Sequence, residues 1–245
     1  LKYNSKITFD AEVYNQLFNT ENKLIQTNEF NTGSLYRLFP IIGMKVETPY
    51  KLKNDKLKFI FNPSSQIVIT PGISNSNKIS NEDSSNNSFS AINNNSLNRY
   101  SGSDKMDNSK RINYGFSIHN EFVKLHLSQF YEFSDNSNYH NEQGNDDKLS
   151  DLLGSLEYKN NNTINYDFRY DVSENYVKEQ NINTKTQTKV GDLSISYLDQ
   201  KKKTDNIITQ DTETINYELS SKKFLKFSKI NFSGLYDLTK EINTE

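Results

Sequence analysis

Between Ile164 and Val172 the chain alternates without exception: Ile164, Tyr166, Phe168, Tyr170 and Val172 occupy one parity, Asn165, Asp167, Arg169 and Asp171 the other. Successive side chains of an extended backbone point to opposite faces, so a period of two specifies a strand with one apolar and one polar face. Similar alternation runs through Ile7-Phe9-Ala11-Val13, Pro40-Ile42-Met44-Val46, Ile112-Tyr114-Phe116-Ile118, Val123-Leu125-Leu127, Ile215-Tyr217-Leu219 and Ile230-Phe232. Weaker segments are Phe59-Phe61 with Ile67-Ile69, Leu152 to Tyr158, Leu193 to Tyr197, and the polar stretch Val177 to Thr188. No window carries a helical period. The chain reads as all-β.

The links between these segments alternate in length. Those near 19–34, 72–110 and 134–148 are long, those near 51–56, 119–121, 160–162, 190–192 and 220–223 are short, and those near 173–176 and 200–206 are intermediate. Long loops at one end and tight turns at the other are the arrangement of an antiparallel transmembrane β-barrel in an outer membrane; a soluble sandwich has no reason to keep it. Most segments match or exceed the roughly 9–11 residues that a spanning strand needs. All four prolines, at 40, 49, 63 and 71, fall in the two segments before the longest link. Proline donates nothing to a ladder, which predicts strand ends, bulges or unpaired positions there.

Composition supports strands over a soluble core. Mean hydropathy is -0.84, low enough to suggest disorder, yet the chain holds 15 Tyr and 15 Phe, and disordered segments are poor in aromatics. No apolar run approaches the roughly 20 residues of a spanning helix. With no cysteine there is no disulfide or thiolate metal site, and a net charge of -2 offers no field to recruit nucleic acid. Residue 1 is Leu with no signal-like segment after it, which predicts an internal fragment of a longer chain.

The long insert 72–110 is rich in Asn and Ser, a linker composition, but it contains two motifs: Asn81-Glu82-Asp83-Ser84, and Asn98-Arg99-Tyr100-Ser101-Gly102-Ser103-Asp104-Lys105. Arg37-Leu38-Phe39-Pro40 and Phe61-Asn62-Pro63 to Ile69-Thr70-Pro71 precede it; Asn113-Tyr114-Gly115 and Gln129-Phe130-Tyr131 follow. In that order these elements resemble the barrel domain of the LptD family of lipopolysaccharide-assembly proteins, also called organic solvent tolerance proteins. The agreement is closest over 35–135. Lys105 stands where the family usually has Arg, which keeps the charge and loses the bidentate fork.

The resemblance implies that 1–245 is part of one outer-membrane barrel domain, about eleven strands of a larger barrel, in a Gram-negative bacterium. The family's N-terminal periplasmic domain has no counterpart in these residues. It also implies that the protein is no enzyme, needs no cofactor, and works among outer-membrane lipids on lipopolysaccharide, with the plug lipoprotein LptE and a periplasmic Lpt bridge as partners. The insert is expected to fold inwards, with Glu82 and Asp83 as acceptors and Arg99, Lys105 and Arg111 as donors; Asn98, Gly102 and Asp104 complete the luminal motif. In an arbitrary loop such charges would be solvated, each pair contributing at most about 1 kcal/mol.

Asn165, Asp167, Arg169 and Asp171 are expected to face the lumen. His119, His126 and His140 offer no metal-ligand spacing, and no Gly-x-Ser-x-Gly elbow occurs. Lys201-Lys202-Lys203 reads as a solvated loop tip. A porin or substrate-specific channel would show the same strand pattern with the insert as a constriction loop, and an outer-membrane hydrolase is a third class. The first and last strands carry no edge protection beyond scattered lysines, which predicts partners outside 1–245.

Overall fold

A computed structural model describes residues 4–26, 29–53, 58–84, 93–134, 145–146, 148–189, 191–204, 207–221 and 230–239. The strands are β1 (Lys6–Gln26), β2 (Glu29–Glu47), β3 (Tyr50–Lys53), β4 (Lys58–Ile69), β5 (Lys110–His119), β6 (Val123–Glu132), β7 (Asn145–Asp146), β8 (Leu149–Ser150), β9 (Leu152–Lys159), β10 (Asn162–Asp171), β11 (Tyr176–Gln187), β12 (Gly191–Thr204), β13 (Ile207–Ser221) and β14 (Asn231–Asp237). They form one antiparallel sheet of fourteen strands. With β3, β7 and β8 off the main path, eleven strands lie side by side in chain order from β1 to β14, and among the described residues the sheet is open.

The parity rule separates the faces over the whole width. On one face an apolar row crosses the ladders from Phe61 through Ile118, Leu125, Leu156, Tyr166, Ile182, Tyr197 and Ile215 to Tyr236, each residue directly opposite the next. Phe9, Leu17, Tyr36, Ile42, Ile69 and Phe232 belong to this face and are largely exposed. A continuous apolar belt of this kind is a liability in water and matches a hydrocarbon band. The other, inner face carries the insert. On β2 the contrast is complete: Arg37, Phe39, Ile41 and Gly43 are buried, Tyr36, Leu38, Pro40 and Ile42 exposed.

Two expected loops are strands. The link near 19–34 is the far end of the β1–β2 hairpin, which stays paired through Leu24 opposite Phe30 with bulges after Thr20 and Leu24. The link near 200–206 is likewise ladder, with Lys203 opposite Ile208. The Lys201-Lys202-Lys203 run is therefore no loop tip: Lys201 pairs with Asp199 at 3.0 Å and the Lys203 ammonium sits 4.0 Å from the Tyr176 ring centroid. At roughly 3.3 Å per residue the 21-residue β1 is about 70 Å long, far beyond an apolar band about 25 Å tall. Outside that band neither face has to be apolar, so strand continues where the alternation has stopped.

The prolines lie at breaks in the ladders. β2 pairs with β4 only from Ile42 to Glu47 and β3 pairs with β4 from Tyr50, so Pro49 sits in the interruption and Pro63 opposite it, between the two pairings. Pro40 lies beyond the point where β4 leaves β2. The chain leaves the ladder at Thr70, whose amide donates to Ser109 O at 3.1 Å, and returns at Lys110. That pinch defines the base of the insert. His140 and most of the link 134–148 lie outside the described residues.

Candidate functional site

The insert is bound to the inner face by apolar packing, by backbone caps and by buried charge. Leu97 and Met106 from the insert pack on Phe39, Ile41 and Val68 of β2 and β4, all buried, with Tyr14 of β1 beside them. A Cβ on Gly43 would lie 2.5 Å from Leu97 Cδ2, so only glycine leaves the space that Leu97 fills. A second cluster joins Tyr100 to Phe130 and Leu153. Asn75 holds Met106 at both ends, accepting from its N–H at 2.7 Å and donating to its carbonyl at 2.8 Å.

The two motifs meet through a reciprocal pair of caps. The Asp83 carboxylate accepts from the Ser103 and Asp104 amides at 2.9 and 2.8 Å; the Asp104 carboxylate accepts from the Glu82 and Asp83 amides at 2.7 and 3.0 Å. The Asp104 amide first, then the Ser103 amide and the Ser84 hydroxyl, hold the Asp83 carboxyl well below the ordinary carboxylate range. A depressed pKa makes this clamp fully present above the ordinary Asp value of about 3.9, and it is lost only as the pH falls through the lower folded value. Asn98 Oδ1 accepts from the Asp107 amide at 3.0 Å, and the Lys105 ammonium lies 5.7 Å from the Tyr100 ring centroid.

This arrangement corrects the expected pairing. Glu82 contributes its amide and its side chain is exposed, Asp83 accepts from backbone, and Lys105 donates its amide to Ser84 Oγ at 3.0 Å. The acids facing the guanidiniums are Asp107 and Glu132. Arg99 bridges Asp107 with Nε to Oδ2 at 2.6 Å and Nη2 to Oδ1 at 3.2 Å; Arg111 Nη1 reaches the same Oδ2 at 2.9 Å. Glu132 Oε2 lies 3.7 Å from Arg99 Nη2 and accepts from the Ser109 hydroxyl, while Oε1 accepts from the Lys110 amide at 2.8 Å. The Arg99 guanidinium also lies 4.5 Å from the Phe130 ring centroid. All four charged side chains are essentially fully buried. A buried charge is tolerated only when paired and hydrogen-bonded, which makes this network an exacting lock.

At the other side the insert is tied to the first hairpin. Arg37 of β2 donates to Asp104 O at 2.7 Å and to Ser103 O, and Gln16 of β1 donates to Ser103 O at 3.1 Å. Lys23 of β1 donates to Ile79 O. Replacing Gly102 by alanine, at φ +85° with the Asp83 backbone in the way of a Cβ, should loosen the clamp by about 1–3 kcal/mol. Limited proteolysis within 72–110 should then accelerate relative to wild type; an unchanged cutting rate would mean that the two motifs are not mechanically joined.

Beyond the insert the inner face continues as polar rows. Arg169 and Asp171 join Asp151 and Lys178, with Lys178 Nζ 2.8 Å from Asp171 Oδ2 and 3.3 Å from Asp151 Oδ1. Arg169 Nε lies 3.5 Å from Asp151 Oδ2. Asn165 and Asp167 lie in the same parity, half-buried, opposite Asn183 and Asn181. Sequence reading missed Asp107, Glu132, Asp151 and Lys178. One signal for a covered inner face was available: Leu38-Phe39-Pro40-Ile41-Ile42 is apolar on both parities, and a strand needs that only when both faces are buried.

The family model for LptD, LPS transport system D, matches residues 2–242. The chain belongs to the LptD family. The match covers nearly the whole chain. An LptD-type chain with an all-β antiparallel sheet acts in lipopolysaccharide transport at the outer membrane, and the LptD family is a transport family. No curated protein matches the chain.

Proposed function

We propose that this LptD-family sheet forms part of the wall of an outer-membrane translocon that delivers lipopolysaccharide to the outer leaflet, with residues 72–84 and 93–110 of the insert as a fixed internal partition of its lumen. The observation that carries this reading is the buried Arg99–Asp107–Arg111–Glu132 network, which fastens a long polar segment to the face opposite the apolar belt. A loop meant for the extracellular medium needs no buried charges. In this reading Glu82, Asp83, Asn98, Arg99, Gly102, Asp104 and Lys105 fix the partition, and Asn165, Asp167, Arg169 and Asp171 line the remaining passage. The short-turn end lies towards the periplasm, where the family's bridge delivers substrate, and a plug lipoprotein of the LptE kind occupies the lumen.

Site-specific photo-crosslinking in growing cells tests this. A crosslinker at Asn165 or Asp167 should capture lipopolysaccharide, whereas one at Tyr166 should capture acyl lipid of the surrounding bilayer. Capture of lipopolysaccharide from Tyr166 and not from its two neighbours would remove the luminal route.

A further inference from the structure

Towards the short-turn end, between the inner face and Asn95 of the insert, lies a cavity of about 400 Å³. Its floor is one level of the sheet. Asn62 on β4 stands opposite Ser117 on β5, Ser117 opposite His126 on β6, and His126 opposite Ser155 on β9. Lys45 and Lys124 stand at its sides, and Asn95 of the insert reaches it from above.

The polar inventory of this cavity is unbalanced. The carboxylate lining it, Glu47, is held by Lys45 at 2.8 Å. The Lys124 ammonium has no ion pair among the described residues; Glu157, opposite it across the β6–β9 ladder, lies beyond ion-pair distance. Two buried polar atoms, His126 Nε2 and Asn62 Oδ1, lack a hydrogen-bond partner. Buried polar groups are ordinarily satisfied, so an unpartnered pair on one floor marks the place of something that satisfies them.

The ligand class follows from what is offered. The cavity presents hydroxyl, amide, imidazole and ammonium donors and a single, already neutralised carboxylate, which leaves a metal cation without anionic ligands. A neutral sugar has no use for an unpaired ammonium. A phosphate that keeps one P–OH matches all of these: its charged oxygens accept from the donors and its hydroxyl donates to Asn62 Oδ1. We propose that this cavity is a phosphate-binding site, with Lys124 as the point charge and His126, Ser117 and Ser155 as donors to the phosphate oxygens. The chemistry stands on the cavity alone; that the phosphate belongs to a glycolipid headgroup rests on the transport reading.

Isothermal titration of the heat-modifiable protein as purified from the outer membrane, not of residues 1–245 expressed alone, with inorganic phosphate tests the site. Binding should be saturable, weakened roughly tenfold or more by Lys124→Gln and by His126→Gln, and unchanged by Lys185→Gln, a lysine of β11 away from the cavity. Competition separates the two sources. Displacement by a phosphorylated glycolipid and not by its dephosphorylated form supports a headgroup subsite; absence of displacement supports a site for free phosphate. No phosphate binding, or equal binding in the variants with gel mobility intact, overturns the proposal. Phosphate binding that persists while crosslinking at Asn165 fails would retain the site and discard the route.

Discussion

Asp107→Ala should be the most damaging single substitution in the chain, lowering stability by about 3–5 kcal/mol, because it removes the carboxylate shared by two fully buried guanidiniums. Glu132, 3.7 Å from Arg99, is geometrically committed to Ser109 and the Lys110 amide and cannot take the place of the lost anion. The damage should be local in origin: the insert detaches while the hairpin ladders persist. Protease cutting within 72–110 and the temperature at which the compact gel species is lost measure the two parts separately. A companion variant with Arg99, Asp107 and Arg111 replaced by apolar residues of similar volume and Glu132 by Gln should be milder than Asp107→Ala alone, since no charge is then left buried without its partner. If the quadruple variant proves worse than the single one, the network acts through more than its charge balance.

Residues 1–245 expressed alone are expected to give no compact, heat-modifiable monomer. The described sheet has two free margins, β1 and β14, and in hydrocarbon each unsatisfied backbone group costs several kcal/mol, so an open sheet cannot persist in lipid. Either margin needs further strands, and an isolated product should aggregate through β1, whose Phe9, Val13 and Leu17 are exposed beside that margin. Gel mobility with and without heating decides the matter. A compact monomer that unfolds on heating would mean that β1 and β14 close on each other, making this a small barrel complete in itself.

The strands were readable because one strand's parity is a local property. Ile164 to Val172 alternates whatever lies next to it, and the register of β10 with β9 and β11 follows from matching apolar parities. What escaped reading was strand outside the apolar band. Asn19 to Asn22 and Lys201 to Lys203 are polar on both parities, so nothing in them distinguishes ladder from loop, and only continuity with a paired neighbour extends the strand. The motifs of the insert were legible as motifs, but their partners were not. Charge matching joined the acids at 82 and 83 to the bases at 99 and 105, whereas the fold joins Asp83 to amides and gives Arg99 the acid eight residues on. Backbone amides are invisible to a reading of charges. Glu132 falls on the inward parity of β6, and that position would have nominated it once the inner face was assigned.

The strands of the main path pair only with neighbours next along the chain, apart from short off-path pieces, so the sheet can grow hairpin by hairpin with little loop-closure entropy to overcome. The insert is different. Arg37 reaches carbonyls 66 and 67 residues away, and Asp107, Arg111 and Glu132 converge only when β5 and β6 are in place. Docking it therefore depends on register: a hairpin out by one residue would turn Arg37 or Arg111 to the outer face, taking from the Ser103 and Asp104 carbonyls their donor in the first case and from Asp107 one of its two cations in the second. The wall thus supplies half of the buried charges, Arg111 and Glu132, and the insert the other half, Arg99 and Asp107, so each part is left with uncompensated charge when the other is out of place.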